Sequence, residues 1–277
     1  MCPEDSRTAQ ESIKSSSNLK DILSKASYTT KKLGSISPLK FYVMKKRVFS
    51  LISIALIALA IAIAPTVIAQ PKPNAPGSPL LLQEAERQLS LMRTSHYQHR
   101  TDIDDTTGRF NYDCSGFLDY TLQRVLPAAY AELPISKRSS KRPLAQDFHA
   151  MFARFAKRST NWERVRKVDL IQAGDIVAWL RPPESDSTNT GHVMVVKAQP
   201  IVNPKQSDEF LVSVIDSTTS PHARDSRRKG QTGLGSGVIG LIVNSKGEPI
   251  AYHWRGGESK REEKTPIAFG RILGHHN

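Results

Sequence analysis

The chain has 277 residues, 39% hydrophobic and 23% charged, a composition that supports a globular core in one large domain or two small ones and excludes a wholly polar polymer. The net charge of +13 is divided as +6 over residues 1–69 and +7 over the remainder. A mildly basic body suits work beside an anionic polymer such as cell wall or a membrane surface, or serves solubility alone; its dispersal disfavours a nucleic-acid-binding surface.

Residues 1–43 are rich in Ser and Lys and show little apolar periodicity, which reads as a disordered tail or an extension upstream of a start at Met44. From Met44 the pattern changes. Met44-Lys45-Lys46-Arg47 leads into the uncharged stretch Phe49 to Ala69, with small residues at its exit. A basic start, an apolar run and a small-residue exit have the layout of a secretory signal cleaved before Gln70. About 20 apolar residues also suffice to span a bilayer, so residues 44–69 are a signal or an anchor, and membrane contact is expected only there, if uncleaved. Residues 70–79, QPKPNAPGSP, form a Pro-rich linker, and residues 80–277 are expected to be one domain.

Within that domain Leu82, Ala85, Leu89 and Met92 fall at helical spacing. Thr106-Thr107-Gly108 breaks the chain before YDCSGF, residues 112–117. A second helix is expected from Ser115, with Leu118, Leu122 and Val125 on one side, until Pro127 stops it. Residues 136–143, SKRSSKRP, read as a basic surface loop. A third helix spans 143–156, opened by Pro143 and carrying Leu144, Phe148, Met151, Phe152 and Phe155. Short β-branched runs follow at 175–180, 192–198, 210–215 and 238–243, then a turn at Asn244-Ser245-Lys246-Gly247 that returns into 250–254, and a last run at 267–273. Helices first and antiparallel strands afterwards predict an α+β fold.

Export makes the cysteines informative, because disulfides persist outside the cytoplasm and cysteines there usually pair. The only cysteine after the export segment is Cys114, so it is either an intermolecular bridge or a thiol kept for its chemistry. It falls where a loop enters a helix; unpaired backbone N–H groups and the positive helix end there favour a thiolate. Asp113 can cap that helix. A nucleophile needs a base, and His192, beside Gly191 at the start of a strand, is the candidate. The base needs an acceptor on its far nitrogen, which Asp216 at the end of the 210–215 run can supply. Each has a plainer reading: a small buried hydrophobe, a strand-edge histidine and a turn cap.

Asp-Cys-Ser-Gly before an apolar helix, then Ala173-Gly174-Asp175-Ile176-Val177 and Gly191-His192-Val193, resembles the NlpC-type cysteine peptidases, papain-like bacterial cell-wall hydrolases related to the CHAP amidases. The resemblance covers roughly residues 95–220. It implies a papain-like fold with N-terminal helices packed on an antiparallel sheet. It also implies Cys114 as nucleophile, His192 as base, Asp216 as the orienting residue and a structural turn at Gly174-Asp175. The substrate it implies is the short peptide of peptidoglycan, cut through a thioester.

The chain departs from the family in three ways. Asp216 stands where His is usual, so His222 competes for the third role. The interval between Cys114 and Gly174 is long, and an upstream Trp-Gly-Gly element is absent; Tyr97, Tyr112 and Ser115 are candidates for substrate contact in its place. Two other readings stand beside hydrolysis: a transglutaminase-like acyltransferase with the same triad, and a non-catalytic cell-wall-binding module. A monomer with no cofactor is expected, and no metal, because no Cys/His cluster has ligand spacing. Arg224, Arg227, Arg228 and Lys229, ahead of Gly230, Gly233, Gly235 and Gly237, read as a flexible solvated loop or a docking site for an acidic polymer. Trp179 and Trp254 read as core or cleft wall.

Overall fold

A computed structural model describes residues 77–136, 139–154, 159–185 and 189–274, all within one unit, Pro71–Asn277. The extension 1–43, the apolar segment 44–69, linker residues 70–76 and Phe155 lie outside the described residues. Gly77, Ser78 and Pro79, expected in the linker, instead open the first helix, α1 (Gly77–Leu91); Pro is tolerated in a first turn, where N–H groups have no helical partner. Leu81, Ala85 and Gln88 point fully inward, while Leu82, Leu89 and Met92 are only partly buried. The inward face is rotated from the apolar stripe because it carries polar partners: Gln88 donates to Thr121 Oγ1 and accepts from the Tyr112 hydroxyl.

The break at Thr106-Thr107-Gly108 is the turn of a small hairpin, β1 (Asp102–Asp104) with β2 (Arg109–Asn111). Asp104 accepts the N–H groups of Thr106 and Thr107 there. Next come α2 (Cys114–Val125), α3 (Pro127–Ala131) and α4 (Ala145–Arg154). Pro127 ends α2 and begins α3 at the position where its missing N–H costs nothing.

The rest is strand: β3 (Trp162–Val165), β4 (Ile176–Leu180), β5 (Gly191–Val196), β6 (Ile201–Asn203), β7 (Gln206–Thr218), β8 (Gly233–Val243), β9 (Pro249–His253), β10 (Glu263–Lys264) and β11 (Ile267–Ile272). They form a nine-stranded antiparallel sheet in the order β10-β9-β8-β7-β5-β4-β11-β3, with β6 added on β7. The fold is α+β.

Alternation sets two cores. Ile176, Ala178, Val193 and Val195 face the helices and join Phe117, Leu118, Phe148 and Phe152. Val177, Trp179, Met194 and Val196 face the other way, onto Val214, Leu241, Tyr252 and Phe269. That second face needs no layer of its own because the sheet curls: Trp179 on β4 stacks on Tyr252 of β9 at 4.1 Å although three strands separate them in the order. Gly174, with φ +85°, turns the chain into β4 where a Cβ would collide with the Ser78 carbonyl. Beside it the buried Asp175 accepts from Arg271 at 2.7 and 2.9 Å. No helix among the described residues is long and apolar enough to cross a membrane.

Candidate active site

The loop-to-helix turn at residues 112–117 is built by its own side chains. Asp113 sits at the N-cap in an extended conformation, and its Oδ1 accepts the Gly116 N–H at 2.7 Å. Cys114 therefore occupies the first helical position. Its side chain is 5% exposed and reaches the floor of a cavity of about 660 Å³.

The sheet explains how the helix start meets the strands. Pairing between β5 and β7 holds at Val195 with Ile215 and at Val196 with Val214, and goes no further towards His192. Val196 donates to Asp175, so alternation turns the N–H groups of the odd-numbered residues Val195 and Val193 towards β7. Where the strands part, the Val193 amide comes close enough to the Cys114 thiol to favour its ionised form. The turn that carries Cys114 is thus wedged between the strand that carries His192 and the strand that carries Asp216. Ser217 Oγ ties the same gap shut by donating to the Tyr112 carbonyl at 2.6 Å.

His192 is the second residue of β5, after Gly191, whose φ of +145° and lack of Cβ let the chain pass over the Trp179 carbonyl. Its Nε2 lies 2.6 Å from Asp216 Oδ2. Burial alone would raise the Asp216 pKa, but the charges of His222 and Arg227, with hydrogen bonds from His192 and His222, outweigh it and hold the group well below the usual carboxylate range. An ionised carboxylate only accepts, so Nε2 of His192 carries the proton and Nδ1 is left as the basic nitrogen. Among the described residues no hydrogen bond joins the thiol to this imidazole, whose side-chain partner is Asp216.

Asp216 is the hub of a larger cluster. His222, expected to compete with it, stands behind it: Nε2 lies 2.9 Å from the same Oδ2 and Nδ1 lies 3.0 Å from the Trp254 carbonyl. Both partners are acceptors, so both ring nitrogens donate and His222 is an imidazolium. Burial lowers its pKa, and the Asp216 charge and hydrogen bonds more than reverse this, leaving it raised.

Arg227 closes the other side. It donates to Asp216 Oδ1 and, at 2.8 Å, to the Asp216 carbonyl, the Gly233 carbonyl and Asp225 Oδ2. Its side chain is 2% exposed, so the solvated-loop reading fails for it. The glycines that follow make the space. A Cβ at Gly235 would lie 2.5 Å from Arg227 Nε, and one at Gly237 2.7 Å from His222 Cβ; Gly235 faces Asp216 across the ladder.

His192, Asp216 and His222 are also the one group among the described residues with the separation of a metal-binding cluster. Nε2 of each histidine is already engaged as a donor to the carboxylate, and the Arg227 cation occupies its second oxygen. Hydrogen bonding accounts for the arrangement.

Two hollows flank the site. The first is lined on the thiol side by Tyr97, His99, Ser115, Arg142 and Asn189 among others. The second, of about 390 Å³, is walled by Trp179, Tyr252 and Trp254 around His192. Tyr97, Asn189 and Gly191 belong to both. Tyr97 and Ser115, two of the residues read as substrate contacts, line the first hollow, where the Ser115 hydroxyl donates to Asp113 and accepts from Arg142. Tyr112 does not: it is fully buried and its hydroxyl donates to Gln88 at 2.9 Å, so it supports the core.

The expected thiolate also needs correction. Burial, then the charge of Asp113 and more distantly that of Asp216, pushes the Cys114 thiol up to about 12 despite the helix start and the Val193 and Ser115 amides. The resting group is a neutral thiol.

Two groups escaped the sequence reading as site residues: Arg142 and Arg227 were hidden among other basic residues. Trp254, read as core or cleft wall, does wall the hollow around His192 (ring centroids 5.2 Å apart).

No protein-family model matches the chain, and no solved structure matches it significantly. It is 31% identical over 179 residues to an uncharacterized protein of Acanthamoeba polyphaga mimivirus, a match that covers 58% of this chain and 77% of the viral one.

Proposed function

We propose a function for a chain that belongs to the same family as that mimivirus protein: it is an exported cysteine hydrolase of NlpC type that cleaves amide bonds in peptidoglycan peptides. The observation that carries the reading is the wedging of the Cys114 helix start between two parted strands, one carrying His192 and the other Asp216, bonded to each other at 2.6 Å. Support for the papain-like fold comes from the same feature, a helix that begins at the thiol and packs on an antiparallel sheet. Support for export and for a wall polymer comes from the apolar segment and the basic balance of the sequence.

In this reading His192 Nδ1 takes the thiol proton as the sulfur attacks the amide carbonyl, since the resting thiol is neutral. The N–H of Cys114 at the start of α2 faces the developing oxyanion, a contact of a kind that contributes about 3 kcal/mol to barrier lowering. The His192 imidazolium gives its proton to the leaving amine, which departs and leaves a thioester. His192 then takes a proton from water as the water attacks, and the carboxylic acid leaves with the sulfur reprotonated. Asp216, already balanced by two cations, orients the ring without becoming protonated.

Purified peptidoglycan incubated with the protein should release new amine and carboxylate ends, identified by mass. Cys114→Ala should abolish release while leaving the far-UV spectrum and melting transition in place. Products appearing only when an amine acceptor is added would transfer the reading to an acyltransferase. Turnover by Cys114→Ala would end it.

A further inference from the structure

Arg142 lies in the run read from sequence as a surface loop, yet its guanidinium turns inward onto the nucleophile turn and is 17% exposed. Nη2 donates to both oxygens of Asp113 at 2.8 Å, and Nη1 to Ser115 Oγ at 2.7 Å and the Pro143 carbonyl at 3.3 Å. Asp113 in turn caps Gly116, accepts from the Ser115 hydroxyl at 3.1 Å and contacts His99 Nδ1 at 3.0 Å. The residues on either side of Cys114 are therefore held by one planar fork.

We propose that Arg142 is a positioning residue for the nucleophile: it locks the cap and hydroxyl that flank Cys114, and its charge offsets the Asp113 carboxylate that otherwise opposes ionisation of the thiol. The inference rests on the assignment of Cys114 as nucleophile. The groups facing that thiol are Asp113 and Asp216, which oppose a thiolate, the Val193 and Ser115 amides, which favour it, and, on the assignment of Cys114 as nucleophile, the His192 ring of β5; Tyr97 stands close enough to feel its charge. His99 also contacts Asp113, but its side chain is 72% exposed, and an exposed pair is screened by water. The partly buried Arg142 carries most of the compensation.

The test is the rate at which iodoacetamide alkylates Cys114 in the purified protein, measured from pH 6 to 10, with melting temperature followed alongside. Arg142→Met is expected to react roughly tenfold more slowly at each pH, reaching a given rate about one pH unit higher. Arg142→Lys is expected to recover part of this, as a point charge without the fork. Asp113→Asn, which can still cap the helix, is expected to react at least as fast as the unmodified protein. Arg142→Met with Asp113→Asn is expected to restore the rate to within about threefold, because the charge needing compensation is gone.

A Met variant labelled at the unmodified rate overturns the proposal, as does a double variant no faster than the single one or an Asp113→Asn protein that labels more slowly. Should Arg142→Met fail to fold, the Lys and Asp113→Asn proteins still decide it. Alkylation needs no substrate, so these rates stand or fall separately from peptidoglycan cleavage.

Discussion

Asp216→Asn probes the cluster most directly, because one carboxylate serves three partners. The asparagine keeps an oxygen for His192 Nε2 but removes the charge that faces His222 at 2.9 Å and Arg227 on the other oxygen. Both partners are buried, and Asp225 remains as an anion beside them, bonded to Arg227 Nη1 at 2.8 Å and to the His222 backbone N–H at 2.7 Å. Removing one partner of a buried ion cluster typically costs about 3–5 kcal/mol. For a domain of this size that is a fall in melting temperature of roughly 6–20 °C.

The pH dependence carries the sharper signature. In the unmodified protein the folded His222 pKa is raised. Its stabilisation is fully present below the unfolded value and is lost as pH rises through the folded one. In Asp216→Asn the attraction is gone and burial lowers that pKa instead, so stability should rise with pH across the unfolded value, near 6.5. Thermal melts at pH 5, 7 and 9 should therefore slope in opposite directions for the two proteins. Parallel curves would refute the assignment of His222 as an imidazolium paired with Asp216.

Three further outcomes follow from the same geometry. Because the thiol is pushed up to about 12 by burial and Asp113, its alkylation rate should keep climbing to pH 10; a plateau below pH 7 would show a preformed thiolate instead. Exhaustive treatment with a chelator should leave amide cleavage unchanged, since hydrogen bonds and the Arg227 cation already occupy the His192-Asp216-His222 group; loss of activity restored by a divalent ion would assign the cluster to a metal. Gly191→Ala places a Cβ against the Trp179 carbonyl at a φ of +145°. It should cost a few kcal/mol of stability and lower kcat with His192 displaced, and an Ala variant with normal kcat would show that His192 does not depend on this turn.

Local chemistry made much of this molecule legible. Pro127 and the Asp113 cap bound α2 because a missing N–H and a side-chain acceptor act within one turn. The β-branched runs at 175–180 and 267–273 lie within a residue or two of β4 and β11, because a strand buried on both faces needs apolar residues in succession. The short β3 and β6 were missed, since three or four residues are too few for a period to show. Residues 230–237 read as loop because glycine is a turn signal; most of them are strand, emptied of side chains so that His222 and Arg227 can lie over it.

The sequence by itself determined that one thiol would stand at a helix start, and that a histidine and an aspartate would sit at the ends of strands. Only the tertiary structure decided which charges meet. Asp216 stands next to Arg227 rather than Arg224 or Arg228, His222 lies behind the carboxylate, and Arg142 turns inward to Asp113. Capping and alternation act over a few residues and leave a trace in the order of the chain. Burial and charge pairing depend on how far strands part and curl, which is set by packing between residues distant in the chain, such as Trp179 with Tyr252 and Tyr112 with Ser217.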